Sequence, residues 1–336
     1  MYTDFYGFTE RPFDVNPDPK FLYLTESHRE TLASMLYGIK EKRGFLAVTG
    51  EVGTGKTTLI YAMLNSLDEK VKTVHIFRKC STFQELLRTI LFELGVPPKS
   101  RDRLALWQRL DEHLIATASR GETVVLILDE AQNLSNGMLE EIRTLSNLET
   151  QKTKLLQIIL IGQPELETKL NSDELRQLRQ RIAIRRKLVP LPDAEVKAYI
   201  KHRLSLVGTD LDEVFTNGAI SLICRYSKGI PRVINLLCDN AFLIGYALTK
   251  KKVDEDVIRE VIRDMEGETS PGRDDMPASL ARSPIWEGDG FMHAFKSFVV
   301  GLWSNARGRL RPAALRQAPD IADTGGSKPQ QEEEGR

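Results

Sequence analysis

The stretch FLAVTGEVGTGKTT, Phe45–Thr58, runs from an apolar segment into a loop with three glycines and closes on a lysine and two threonines. Gly50, Gly55, Lys56 and Thr57 fit the pattern G-x-x-x-x-G-K-[ST]; Glu51, Val52, Gly53 and Thr54 fill the loop, and Thr58 follows it. The pattern carries a mechanism where a strand precedes it and a helix follows. Both are expected here, a strand over FLAVTG and a helix over 56–67. Backbone N–H groups must converge on phosphate oxygens, which calls for glycine where a Cβ would clash or φ is positive. The positive end of the following helix adds to the cradle. Residues 50–58 are therefore expected to bind ATP, with Lys56 neutralising β- and γ-phosphate charge and the Thr57 hydroxyl ligating Mg²⁺.

A second stretch, VVLILDEAQNL (124–134), takes five apolar positions directly into Asp129 and Glu130. A parallel strand delivers its C-terminal end to the rim where the glycine loop opens. There Asp129 is expected to hold Mg²⁺ through water, and Glu130 to orient and deprotonate the attacking water. Two buried carboxylates without a cation are costly, so an ion or partner is implied.

Around these motifs the chain alternates. Residues 1–30 read as an irregular arm, and a helix follows in which Leu32, Met35, Leu36 and Ile39 share a face up to Gly44. After the glycine loop come a short strand (73–77), helices near 82–94 and 102–119, the apolar strand at 123–129 and a helix near 136–149. Two further strands follow, LLQIILIG (155–162) and IAIRRKLVPL (182–191). Apolar strands without alternation point to a mainly parallel sheet covered on both faces. From 193 the strands stop, and four amphipathic stretches read as a small helical domain. Beyond about 268 the composition turns to Pro, Gly, Ser, Arg and Asp, a tail expected to be mostly disordered. Within it, Phe291, Phe295, Phe298, Val299, Leu302 and Trp303 share a helical face over 290–304, suited to a membrane surface or a partner's groove.

Composition narrows the classes. The chain has 336 residues, and 47 Lys plus Arg balance 47 Asp plus Glu, so a polyanion site must be local rather than a global basic excess. Three scattered cysteines form no CxxC pair and no disulfide framework, and the five histidines show no metal-ligand spacing. The first 19 residues are aromatic and acidic where an export signal is basic and then apolar. No apolar window reaches membrane-spanning length. The expectation is a cytoplasmic protein, peripheral at the inner membrane if the 290–304 face meets lipid.

These residues resemble the AAA+ ATPases. Within that superfamily, FYGFTERPFDVNPDPKFLYLTESHRETLASMLYGI, TGEVGTGKTT, LDEAQNL, LIGQPEL, LRQRI and GIPRVINLLCDNA are similar to the ExeA/GspA group over about residues 1–267. The resemblance implies a P-loop NTPase fold: a three-layer αβα core with its arm over 1–192, a helical lid over 193–267, and the tail over 268–336. It also implies roles. Gln163 fits the polar sensor that contacts γ-phosphate or the lytic water. Arg181, with Arg176 and Arg179 as rivals, fits an arginine finger acting on a neighbouring subunit. Arg232 fits a second sensor reaching the phosphates from the lid, and the arm with Tyr23 and His28 resembles the segment beside adenine.

Members of this group are secretion-associated ATPases, with relatives encoded beside exopolysaccharide and exosortase systems. The secretion members carry a membrane-spanning helix and a peptidoglycan-binding domain after the ATPase. Neither is visible in this chain, which favours the shorter relatives. The expected function is an oligomerisation-coupled ATPase, a homo-oligomer energising or regulating an envelope-associated secretion or export assembly through a protein partner. Two alternatives remain: a DNA-associated regulator of the transposition type, which the neutral charge disfavours and the Arg176–Lys187 basic cluster supports, and an ATP-locked scaffold with little turnover.

Overall fold

The structure is a computed structural model that describes residues 1–14, 19–77, 80–97, 100–150 and 153–266. The tail expected beyond 268 and its amphipathic stretch at 290–304 lie outside the described residues.

Five strands form one sheet: β1 (Phe45–Gly50), β2 (Val71–Ile76), β3 (Thr123–Leu128), β4 (Leu156–Gly162) and β5 (Ile182–Leu188). Their order is β2-β3-β4-β1-β5, and every pairing is parallel. β1 and β4 are buried at every position, and β3 at all but its first, as continuous apolar runs require when both faces are covered. The pleat sends alternate residues to opposite faces. Phe45, Ala47, Leu126, Leu128, Ile158 and Leu160 join one core with α4 (Phe83–Glu93), α5 (Arg103–Ser119), α6 (Asn136–Thr144), α7 (Pro164–Leu170) and α8 (Arg176–Arg181). Leu46, Val48, Val125, Ile127, Ile159 and Ile161 join the other with α2 (Glu26–Lys40) and α3 (Lys56–Ser66). The core is thus a three-layer αβα sandwich.

Several boundaries differ from expectation, among them the last strand, which ends at Leu188 rather than 191. β2 begins at Val71 because ladder bonds to Thr123–Leu128 hold even its exposed Lys72 and Thr73, so polarity does not mark its start. The helix expected to reach 149 ends at Thr144 and tightens into a 3₁₀ turn over Leu145–Asn147, ahead of a bridge between Glu149 and Lys154.

Beyond β5 the described chain is helical: α9 (Asp193–Ser205), a single turn α10 (Leu211–Val214), α11 (Asn217–Ser227), α12 (Pro231–Ala247) and α13 (Glu255–Glu266). These helices share their own apolar cluster, and the arm belongs to it. Far from irregular throughout, the arm starts with a helix, α1 (Tyr2–Tyr6). It buries Tyr2, Tyr6, Phe8, Phe13 and Phe21 among the C-terminal helices rather than on the sheet. Phe242 of α12 is the hub, with ring centroids 4.9 Å from Tyr6 and Phe8, 5.2 Å from Phe215 and 6.0 Å from Tyr2 and Phe13. Buried Arg203 clamps the arm by donating to the Pro12 carbonyl while its guanidinium lies over the rings of Phe21 (4.8 Å), Tyr199 (5.5 Å) and Phe13 (5.7 Å).

Because Phe242 has no exposed surface and touches both arm and helices, Phe242→Ala is expected to cost about 3–5 kcal/mol. Chemical denaturation read by far-UV circular dichroism checks this; an unfolding midpoint equal to wild type would disprove the hub role.

Candidate functional site

All five strands point the same way, so their C-terminal ends meet one edge of the sheet. β4 lies between β1 and β3. The glycine loop leaving β1, the acids leaving β3 and Gln163 leaving β4 are therefore neighbours by topology, although about 110 residues separate the first from the last.

The loop takes the conformation its glycines permit. Gly53 has φ +82° and Gly55 φ +93°, the left-handed region that side chains resist. Gly55 caps α3, whose first internal bond runs from the Leu59 N–H to the Gly55 carbonyl at 2.9 Å. The amides of Lys56, Thr57 and Thr58 at that helix end have no partner within the helix, which makes a ready anion cradle. Lys56 is buried, and its Nζ donates to the carbonyls of Gly50 (2.8 Å) and Glu51 (2.9 Å). Burial pushes its pKa down, opposed by the negative fields of Glu130 and Asp129. Glu51, Val52 and Thr57 are exposed, whereas Thr54 is buried, its hydroxyl donating to the Glu51 carbonyl at 2.8 Å.

Two elements hold this loop from outside. From α12, the Arg232 amide donates to the Gly53 carbonyl at 3.3 Å. The fit is close enough that a Cβ on Gly53 would stand 2.7 Å from the Arg232 Cβ. From α2, buried His28 sets Nε2 at 2.9 Å from the Thr54 carbonyl and Nδ1 at 2.6 Å from the Thr25 hydroxyl. A carbonyl only accepts, so Nε2 carries the proton, and the neutral ring's Nδ1 accepts from Thr25. Of the two arm residues associated with adenine by resemblance, His28 thus lies against the phosphate loop. Tyr23 packs instead on Tyr199 and His202 of α9.

At the end of β3, the Asp129 amide donates to the Ile76 carbonyl at 2.9 Å, and its Oδ1 accepts from the Glu130 amide at 2.9 Å. Glu130 itself is left-handed, φ 51° and ψ 36°, an uncommon state for a residue with a side chain and one found at functional sites. Its Oε2 accepts from Gln163 Nε2 at 3.0 Å and from Gln132 Nε2 at 2.5 Å. Gln132 was not expected at the site; only its position two residues after Glu130 could have flagged it. Thr57 and Asp129 are hard oxygen donors suited to Mg²⁺, which keeps several waters and is held by one or two protein groups plus phosphate oxygens. No group of three or more His, Cys, Asp or Glu side chains able to hold a metal exists among the described residues.

Arg181 lies elsewhere. It ends α8 beside Ile182, which pairs with Phe45 at the start of β1, whereas Gly50 pairs with Leu188. Six strand residues at about 3.3 Å each put it about 20 Å from the glycine loop of its own chain. Arg176 and Arg181 are exposed, and Arg179 donates to the Asn171 carbonyl at 2.9 Å.

Two outcomes follow from the loop's supports. Gly53→Ala adds about 1–2 kcal/mol of left-handed strain and a clash at Arg232, so nucleotide affinity is expected to fall about ten-fold or more in a fluorescent-nucleotide titration. Burial lowers the His28 pKa in the folded chain below its unfolded value of about 6.5. The unfolded chain then takes the proton first, so the stability His28 confers is complete above pH 6.5 and is lost as pH falls from there through the folded value. Thermal melts from pH 7.5 to 5 should show a fall that is shallower in His28→Gln.

Comparison with known proteins agrees with this architecture. Residues 39–170 match the family model described as "AAA domain". The chain is 42% identical over 254 residues, 75% of its length, to the general secretion pathway protein A of Aeromonas hydrophila; it spans about half, 46%, of that relative. Among solved structures, the Aeropyrum pernix ORC2 protein in its ADPNP–ADP complexes superposes with a TM-score of 0.58 at 20% identity, covering 79% of this chain and 75% of that one. Drosophila ORC bound to DNA gives 0.58 at 20%, covering 79% and 66%. At such identities these two speak for the fold. The sequence match to the secretion protein, the AAA domain over the glycine loop and acid pair, and the five-stranded parallel sheet together place this chain in the ExeA/GspA-like family of AAA+ ATPases.

Proposed function

We propose that this chain binds ATP with Mg²⁺ at the C-terminal edge of its sheet and hydrolyses it as part of a homo-oligomer. The observation that carries the reading is the convergence of a buried lysine, an acid pair and Gln163 at one rim, each delivered by a different strand end. Glu130 accepts a proton from the water that attacks the γ-phosphorus, and the bond from that phosphorus to the bridging oxygen of ADP breaks, releasing ADP and phosphate. Lys56 leaves the loop carbonyls for β- and γ-phosphate oxygens, and Gln163 holds Glu130 and the γ-phosphate side of the site in register. Mg²⁺, held by Thr57 and Asp129, supplies charge neutralisation on the phosphate oxygens.

Arg181 is too far along the sheet to serve its own glycine loop, which supports a role on a neighbour's nucleotide. Arg232 stands next to Gly53 at the start of α12, so a change in the loop on phosphate release is felt first by the helices from 193 to 266, the proposed lid. Movement of that lid and of the subunit interface is the output. By its relation to the secretion protein, the output drives or regulates an envelope-associated secretion or exopolysaccharide-export assembly from the cytoplasmic side. No helix among the described residues is long and apolar enough to cross a membrane; on this reading the apolar face read from the sequence over 290–304 is the peripheral membrane contact. One observation favours a second reading, a DNA-associated regulator: Arg185, Arg186 and Lys187 are exposed along edge strand β5, near exposed Arg176 and Arg181. Binding to duplex DNA that weakens steeply with salt would select it.

Glu130→Gln is expected to bind ATP–Mg²⁺ as well as wild type does, to lose at least about 100-fold in turnover, and to be trapped as an oligomer by light scattering. A variant that stays monomeric with ATP would remove the inter-subunit arginine from the mechanism.

A further inference from the structure

We propose that Gln132 is a positioning residue that locks Glu130 and Gln163 into one unit, so that the sensor side chain and the general base are set together rather than separately. The inference rests on the hydrolysis reading above and adds Gln132, a residue to which the sequence reading gave no role. Gln132 makes two side-chain bonds, and between them they fix its orientation. Its Oε1 accepts from the Gln163 backbone amide at 3.0 Å, a group that only donates. The other end of the amide is therefore Nε2, which donates to Glu130 Oε2 at 2.5 Å. Gln163 returns to the same carboxylate oxygen through its own Nε2 at 3.0 Å, closing a ring of three side chains across β3 and β4.

Three features of the surroundings support a dedicated bridge. A Cβ on Gly162 would stand 2.7 Å from Gln132 Oε1, so the absence of a side chain at 162 makes room for the contact. Lys169 of α7 donates to the backbone carbonyls of Gln132 (2.6 Å) and Leu134 (2.9 Å), holding the turn that carries Gln132 against the helix that Gln163 caps. Glu130 sits in its left-handed conformation between the two glutamines, so its carboxylate direction depends on what receives it as well as on its backbone. Both donors converge on Oε2, which assigns the work of accepting a proton from water to Oε1.

The bridge has a mechanical consequence. Whatever draws Gln163 toward a ligand pulls on Glu130 directly and through Gln132, and a shift of order 1 Å in a reacting group changes rate by about 100-fold. Nucleotide binding, by contrast, rests on the loop amides and Lys56, which Gln132 does not touch. Gln132 should govern turnover and not affinity.

The test uses the full chain with Gln132→Leu, Gln132→Glu, Gln163→Leu and the Gln132→Leu/Gln163→Leu double variant. Gln132→Leu removes both bonds, whereas Gln132→Glu keeps the acceptor for the Gln163 amide and loses the donor to Glu130. Expected are a kcat about 10- to 100-fold lower in both Gln132 variants with ATP–Mg²⁺ affinity within about three-fold of wild type, and a double variant no slower than the worse single one. Multiplicative losses in the double variant, or an unchanged kcat, would overturn the coupling. A second measurement needs no turnover: residue-resolved hydrogen exchange should show the Gln163 amide protected in wild type and Gln132→Glu and exposed in Gln132→Leu. Equal exchange in all three overturns the bridge itself. A wild-type chain that binds nucleotide without turning it over, yet shows this exchange pattern, overturns the hydrolysis reading and supports the bridge.

Discussion

The sheet edge is organised around a buried cation. Lys56 sits against the carbonyls of Gly50 and Glu51, with Asp129 and Glu130 close enough to raise its pKa against the burial that lowers it. A desolvated ammonium is expensive, and carbonyl dipoles with two nearby acids are what keep it charged. Glu51 and Glu165 add their negative fields to those of the acid pair around Lys56, a combination that favours a polyanion only if a second cation comes with it. A triphosphate carrying Mg²⁺ would meet both demands: its phosphates would engage the lysine and the helix end, and Thr57 and Asp129 would hold the ion.

How much of this was legible depended on where the deciding contacts lie along the chain. β1, β3 and β4 could be read because a strand buried on both faces writes its environment into consecutive residues. The glycine loop could be read because its geometry needs positive φ at Gly53 and Gly55, which few residues but glycine tolerate. The start of β2 could not, since the edge strand is held by backbone bonds that exposed Lys72 and Thr73 do not advertise. Nor could the arm be placed: Tyr2 meets Asp239, and Tyr6 meets the Lys250 carbonyl, more than 230 residues away. Gln132 escaped notice, and the contact His28 makes could not be read, for a related reason. Each acts through a backbone group of another segment, the Gln163 amide and the Thr54 carbonyl, and a backbone partner leaves no residue type to match.

The arm's true location changes how the helical part must move. Its aromatic residues pack with Phe242, and Arg203 ties the Pro12 carbonyl to Tyr199, whose hydroxyl donates to Asn235 of α12 at 2.8 Å. The arm is therefore bonded into the same body as α9 and α12. Yet the chain passes from that arm directly into α2, which packs on the sheet and carries His28 to the glycine loop. The α9 side chain of Glu195 also accepts from the Glu26 amide at the start of α2, at 3.3 Å. Any motion of the helices relative to the sheet is thus felt at two adjacent residues of the loop, through Arg232 at Gly53 and through α2 at Thr54.

This double attachment explains why strain is tolerated at the site. Left-handed Glu130 and a buried lysine are each unfavourable alone, and each persists where neighbours over-determine it. Glu130 is received by two glutamine amides, Gly53 by α12, Gly55 by α3 and the His28 ring, and Lys56 by two carbonyls. The supports come from β3, β4, α2, α3 and α12, so no single helix or strand can shift without relaxing one strained group and loading another. Interfaces of that kind pass between discrete arrangements rather than deforming smoothly. Under the proposed switch, a small displacement at the phosphate loop would for that reason be passed on as a movement of the helical body.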